Sequence, residues 1–182
     1  MHKKEKKVCM AYCFKISEPF SVDLEKAKRY YRGIKTAAKQ TFWQEDEDGF
    51  HYRYMRGVYI FFIGSSPIYV GKAVGKDGFY QECFQKEKLD KLSDFFRNDV
   101  DYIRNHLKIM FIYADMKYQE KAGKEFCRRV KEMESYLIKL ANRKNPDCKN
   151  DKETIEHWVI DGFIPSHDCR KCNVNLLDSI LF

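Results

Sequence analysis

Residues 56–84 read RGVYIFFIGSSPIYVGKAVGKDGFYQECF, and this stretch decides the fold. The segments GVYIFFI (57–63) and PIYVG (67–71) are rich in β-branched and aromatic residues, and GSSP lies between them. This pattern predicts two antiparallel strands joined by a tight turn. The following KAVGKDG contains two glycines and predicts a loop.

Hydrophobic periodicity predicts the elements downstream of this hairpin. Apolar residues recur at helical spacing over residues 87–107, which predicts a second helix. The segment KIMFIYA (108–114) is apolar on both faces, which predicts a third, well-covered strand. A long amphipathic helix is predicted from about residue 117 to 142, and Asn145-Pro146 ends it.

The predicted elements divide the chain into a core and two flanks. Residues 56–150 form a β-β-α-β-α core, and residues 151–182 form a carboxy-terminal tail packed on it. Residues 1–55 form an amino-terminal extension with a strand (VCMAYCFKI), an amphipathic helix capped by Ser21, and an acidic loop. The sequence therefore predicts one α+β domain with a helical extension.

Composition limits the class of protein. The chain has 182 residues, of which 44% are hydrophobic and 15% aromatic, so it can form one well-packed domain. The net charge of +7 is compatible with a polyanionic partner and equally with a solvated surface. No apolar run approaches the about 20 residues that span a bilayer. Seven scattered cysteines predict a reducing, cytoplasmic compartment.

A carboxylate interrupts the apolar stripe of the long helix. Glu134 lies about 40° around the helix from Val130 and Ile138. Burying a carboxylate is costly unless a metal ion or a buried Lys, Arg or Tyr compensates its charge. The residues alone leave two interpretations of Glu134 open. It is either a metal ligand or a structural carboxylate paired with a buried side chain.

Three motifs together point to a known family. They are GVY (57–59), YVG (69–71) and ESYLI (134–138), the last on a helix that follows a third strand. This set resembles the GIY-YIG nuclease superfamily, and the string IYVGKA is similar to the nuclease domain of the nucleotide-excision-repair incision subunit. Pro146 and Asn150 also match the family pattern. The resemblance covers about residues 56–150 and implies a small three-stranded antiparallel sheet flanked by helices.

The resemblance also implies an activity and a set of roles. The family hydrolyses DNA phosphodiester bonds with one divalent metal ion, Mg²⁺ or Mn²⁺, which Glu134 would bind. Tyr59 would act as general base or orient the attacking water, and Tyr69 would contact phosphate. Lys72 would lie near the scissile phosphate and help Tyr59 to lose its proton. Gly71 would let the backbone turn tightly beside the substrate.

One position departs from the family pattern. The family has an Arg on its first helix that stabilises the phosphate, whereas Gln81 or Glu82 occupies that place here. A carboxylate cannot replace a guanidinium beside a phosphate. The substitute cation would come from Lys76, Lys86, Arg97 or Arg104. The expected function is a DNA endonuclease, and the alternatives are a nucleic-acid-binding module with a degenerate site and an interaction scaffold.

Two further stretches are candidate sites. FHYRYMR predicts an edge strand with aromatic residues on one face and Arg53 on the other, or else a nucleic-acid surface with stacking rings. On the second reading Arg53, together with Lys76 and Arg97, contacts the DNA. Cys169 and Cys172 form the single Cys-x-x-Cys, for which free thiols are favoured over structural zinc and over a redox pair.

Overall fold

The computed structural model describes residues 13–22, 43, 52–95, 106–114, 123–150, 164–165 and 179–181. Its strands are β1 (Cys13–Ile16), β2 (Phe20–Ser21), β3 (Gly57–Ile63), β4 (Ser66–Ala73), β5 (Leu107–Ala114) and β6 (Ile164–Pro165). Its helices are α1 (Gly78–Glu82), α2 (Lys86–Phe95) and α3 (Lys124–Lys144). The described part of the chain is therefore a mixed α+β structure.

The predicted hairpin is confirmed. Strands β3 and β4 pair antiparallel, with Tyr59 opposite Gly71 and Phe61 opposite Tyr69. Strand β4 is longer than expected, because Lys72, which the sequence assigns to a loop, continues its ladder. The pairing brings the two Tyr–Gly motifs side by side.

The sheet is larger than the three strands expected. Its order is β4-β3-β5-β1-β6, and β2 also pairs with β5. The expected three-stranded unit β4-β3-β5 is present and antiparallel. The backbone groups on the other side of β5 need partners as well, and β1 and β2 supply them in antiparallel pairing. Strand β6 is parallel to β1, so the sheet as a whole is not purely antiparallel.

The boundaries of two predicted helices are wrong. Helical spacing includes Leu107, but Leu107 begins β5 opposite Ile63, because a buried strand residue satisfies the same apolar pattern. The helix carrying Glu134 begins at Lys124 after an extended Gly123, later than the expected residue 117. Its predicted end is confirmed, with Asn145 as the C-cap. Residues 96–105 of the predicted second helix lie outside the described residues.

The sheet is covered on both faces. Helix α3 packs on one face against Val58, Ile60 and Val70. The opposite face carries Tyr59 and Phe61 together with α1 and α2, and this second cluster contains the side chains Trp43, Phe79, Leu89, Leu92 and Phe111. Within the described ranges, no helix is long and apolar enough to cross a membrane. The predicted helix after Ser21 and most of the tail lie outside the described residues.

The described part of the FHYRYMR stretch, residues 52–56, does not form the predicted edge strand. Residues 52–55 make a tight turn instead. The carbonyl oxygens of Arg53 and Met55 accept hydrogen bonds from the backbone N–H groups of Tyr80 and Phe79, each at 3.0 Å. The first N–H groups of a helix have no partner inside it, so this turn satisfies the start of α1. The turn forms despite the alternating aromatic and polar residues, because its carbonyl groups bind the N–H groups of α1.

Candidate active site

Tyr59 lies in the middle of β3 and is completely buried. Its ring centroid is 5.8 Å from that of Phe61 and 6.3 Å from those of Phe79 and Tyr69. Its hydroxyl points to the carbonyl oxygen of Glu82 at the end of α1, at a long donor–acceptor distance of 3.4 Å. The phenol is therefore held between the hairpin and α1.

Gly71 makes room for this ring. A Cβ atom on Gly71 would lie 2.3 Å from both Cζ and the hydroxyl oxygen of Tyr59, a separation that no side chain could keep. The resemblance implies that Gly71 lets the backbone turn tightly, but Gly71 lies inside β4 and continues the strand. The glycine is needed for the close approach of an aromatic ring to the backbone.

The environment of Tyr59 keeps its phenol protonated. Burial raises the pKa of Tyr59 well above 10.0, and electrostatic interactions with Cys83, Tyr69, Glu82 and Glu134 raise it further, in that order. Both carboxylates thus lie within electrostatic range of the hydroxyl. At neutral pH the group is a hydrogen-bond donor rather than a proton acceptor.

Glu134 is buried and paired with Lys72. Glu134 is 8% exposed on α3, as its place in the apolar stripe predicts. Lys72 lies on the same face of β4 as Val70, which also packs on α3. The distance from Lys72 Nζ to Glu134 Oε2 is 2.5 Å. The Lys72 side chain is 34% exposed, so the ammonium group borders solvent while the carboxylate is covered.

A divalent metal ion is compatible with these residues. Mg²⁺ commonly uses one or two protein carboxylates and takes its other ligands from water and substrate phosphates. Glu134 supplies one such carboxylate, and Lys72 now occupies a place beside it where a cation is stabilised. In the described part of the chain, no group of three or more His, Cys, Asp or Glu could hold a metal ion. The residues therefore fit an ion bound by one carboxylate, not a closed metal site.

Lys88 is a cation near Tyr59 that sequence reasoning missed. Its Nζ atom donates to the carbonyl oxygen of Glu82 at 2.8 Å and to Glu82 Oε2 at 2.9 Å. The same atom lies 5.6 Å from the centroid of the Tyr59 ring. The one sequence signal was its spacing of four residues from Leu92, which is buried, so Lys88 borders the inward face of α2. Only the packing of α2 on the hairpin brings these residues together.

Of the other predicted site residues, Tyr69 lies in the site and the rest are more dispersed. Tyr69 is half-buried beside Tyr59, and Lys76 and Lys86 are exposed. The Arg53 guanidinium lies 4.3 Å from the Tyr80 ring centroid, an arginine–aromatic contact next to α1. Glu82 is turned towards Lys88, as its carboxylate contact shows, and Gln81 is exposed. The remaining candidates lie outside the described residues: Arg97, Arg104, Cys169 and Cys172.

The segment after α3 fixes β4 against the helix. Asn150 accepts a hydrogen bond from the Val70 N–H and donates one to the Val70 carbonyl, both at 2.7 Å. The Lys149 N–H donates to the Ile68 carbonyl at 2.7 Å, and the Asn145 amide donates to the Pro67 carbonyl at 2.8 Å. These bonds pair the outer edge of β4 and tie it to the end of α3. They thereby hold Lys72 opposite Glu134.

The site thus combines a covered carboxylate, two lysines and two phenols around one hairpin. Glu134 and Lys72 lie on the α3 side, and Tyr59, Tyr69 and Lys88 lie on the α1–α2 side. No protein-family model matches this chain, and neither a curated protein nor a solved structure matches it significantly.

Proposed function

We propose that this protein is a divalent-metal-dependent endonuclease that hydrolyses DNA phosphodiester bonds. The observation that carries the proposal is the ion pair between the buried Glu134 and Lys72. Lys72 lies on β4, which pairs with the strand that carries Tyr59. The β3–β4 pairing, with Tyr59 across from Gly71, and the β4-β3-β5 order agree with the arrangement that the GIY-YIG resemblance implies.

Phosphodiester hydrolysis needs an activated water and charge stabilisation at the phosphate. Glu134 would hold the metal ion, which lowers the pKa of a coordinated water and offsets phosphate charge when bound. Lys72 borders solvent, so it can turn from Glu134 to a phosphate oxygen when the metal takes its place. Tyr69 is half-buried on the other face and would contact the same phosphate.

The raised pKa of Tyr59 favours one of its two implied roles. A phenol that stays protonated cannot accept a proton from water, so an orienting role is favoured over that of general base. Its hydroxyl would donate a hydrogen bond to the attacking water or the phosphate. The ring is fully covered, so this role requires the covering side chains to open when DNA binds.

The alternative is a nucleic-acid-binding module that does not cleave. Two observations favour it: Tyr59 is inaccessible, and Gln81 and Glu82 stand where the family has its Arg. A binding module would depend on the positive net charge and lose affinity steeply as salt rises.

One comparison separates these functions. The protein and its Glu134→Ala variant are incubated with supercoiled, branched and single-stranded DNA in Mg²⁺ or Mn²⁺. Cleavage by the wild type that disappears in the variant supports the endonuclease. Salt-dependent binding by both proteins without cleavage supports the binding module. If neither binding nor cleavage occurs, both proposals are refuted and an interaction scaffold remains.

A further inference from the structure

We propose that Lys88 is the cation that contacts the scissile phosphate from the α2 side of the site. The inference rests on the proposed endonuclease function and identifies a residue that the motifs do not mark. Its basis is the position of the Lys88 ammonium group, between the end of α1 and the face of the Tyr59 ring.

The ammonium group is anchored and still has a donor to offer. A lysine carries three N–H donors, and two of these go to Glu82, one to its carbonyl and one to its carboxylate. No acceptor in the described part of the chain takes the third. Lys88 and the Tyr59 hydroxyl both donate to the carbonyl oxygen of Glu82. This shared acceptor fixes the ammonium group next to the phenol.

The site contains two ion-paired carboxylates, Glu82 with Lys88 and Glu134 with Lys72. Glu82 is the one that separates more easily from its lysine. The Glu82 side chain is 29% exposed, whereas that of Glu134 is 10% exposed. A partly hydrated carboxylate loses less when it exchanges its partner for water. A phosphate oxygen can therefore replace the Glu82 carboxylate at Lys88, while the carbonyl bond keeps Nζ in position.

A phosphate in this site would be stabilised by such a group. Lys72 lies on the α3 face and is committed to Glu134 or to the phosphate beside the metal. A second cation on the opposite face would neutralise the remaining equatorial charge of the phosphate. Lys76 and Lys86 are exposed, and neither is held by an ion pair among the described residues. Arg53 is stacked on Tyr80, whereas Lys88 lies beside the Tyr59 ring and is held there by Glu82.

The test compares Lys88→Met, Lys88→Arg and the control Lys91→Met. Lys91 is exposed on the same helix, and Lys91→Met changes the net charge by the same amount as Lys88→Met. We expect Lys88→Met to lower kcat for Mg²⁺-dependent cleavage by about 10²–10³-fold, the typical effect of removing one transition-state contact, with KM changed by less than about threefold. Lys88→Arg should keep most of the activity, and Lys91→Met should cleave like wild type.

The outcomes separate the two proposals. If the wild type cleaves, Glu134→Ala does not, and Lys88→Met cleaves at the wild-type rate, the Lys88 assignment is refuted and the endonuclease stands. Equal loss in Lys88→Met and Lys88→Arg, with unchanged melting temperatures, also refutes a role for the positive charge. If the wild type cleaves no DNA with either metal, the endonuclease proposal is refuted, and the role assigned to Lys88 is refuted with it.

Discussion

At the scale of single residues, the site depends on one contact between a side chain and a backbone. The Tyr59 ring lies so close to Gly71 that a methyl group there would overlap it at 2.3 Å. The same packing removes Tyr59 from water and raises its pKa. One close approach therefore sets both the shape of the hairpin and the protonation state of its central phenol.

Gly71→Ala should destabilise the protein. The added methyl group must displace a ring that is packed on all sides, and overpacking of this kind costs about 1–3 kcal/mol. Gly75→Ala is the matched control, because a Cβ there meets nothing within 4 Å. The free energy of unfolding in urea measures both. A Gly71→Ala variant as stable as Gly75→Ala would show that the ring does not occupy this place.

Tyr59 should make the protein less stable in alkali. Above the ordinary tyrosine pKa of about 10, the unfolded chain loses the phenol proton while the folded chain keeps it. The stability that this group contributes is fully present below pH 10 and declines at up to about 1.4 kcal/mol per pH unit above it. Urea unfolding at pH 8–11 should therefore give a shallower decline for Tyr59→Phe than for the wild type. Equal slopes would contradict a raised pKa.

The residues differ in how far the sequence could predict them. Helical angles alone placed Glu134 among buried side chains, because a carboxylate inside an apolar stripe is visible in one dimension. The reason for Gly71 and the presence of Lys88 depend on contacts between segments that are distant along the chain. Neither has a local pattern, so neither could be predicted.

At the scale of elements, the segment 145–150 acts as a brace for the outer strand. It pairs backbone groups of Pro67, Ile68 and Val70 in β4 without being a strand itself. Edge strands leave unpaired N–H and C=O groups, and here side-chain amides and backbone groups satisfy them. The brace also connects β4 to α3, the two elements that carry Lys72 and Glu134.

Asn150→Ala should weaken this brace. The variant loses two hydrogen bonds to Val70 and leaves partly buried backbone groups without these partners, which costs about 1–3 kcal/mol. Hydrogen exchange of the Val70 amide should also become faster. Asp147→Ala is the control, because Asp147 is exposed in the same segment. Unchanged stability and exchange in Asn150→Ala would refute the brace.

Element boundaries show where periodicity fails. The hairpin was predictable because its strands, its turn and its aromatic composition all indicate the same structure. Leu107 was assigned to a helix, since a buried residue at the start of a strand fits a helical repeat as well. The turn at residues 52–55 was missed because its backbone caps α1, which is a tertiary effect.

At the scale of the whole molecule, the sheet separates the site into two halves. Glu134 of α3 and Lys72 of β4 meet on the α3 face, and Tyr59 and Lys88 belong to the face covered by α1 and α2. The sequence predicts a strand over VCMAYCFKI, and β1 lies within it. The pairing of β1, β2 and β6 beyond β5 has no local pattern, because these strands come from the two flanks of the chain and join by long-range pairing. The flanks therefore complete the sheet that holds the hairpin.

The most direct test of the account is the Mg²⁺-dependent nicking rate of a supercoiled plasmid, measured for the wild type, Glu134→Gln and Glu132→Gln. Glu132 is on the same helix, pairs with Arg128 and has a side chain as little exposed as that of Glu134, so it is the matched control. We predict that the wild type and Glu132→Gln nick at similar rates in Mg²⁺ and not in EDTA, and that Glu134→Gln is at least about 10²-fold slower. Nicking by Glu134→Gln at the wild-type rate, or no nicking by the wild type, would contradict the account.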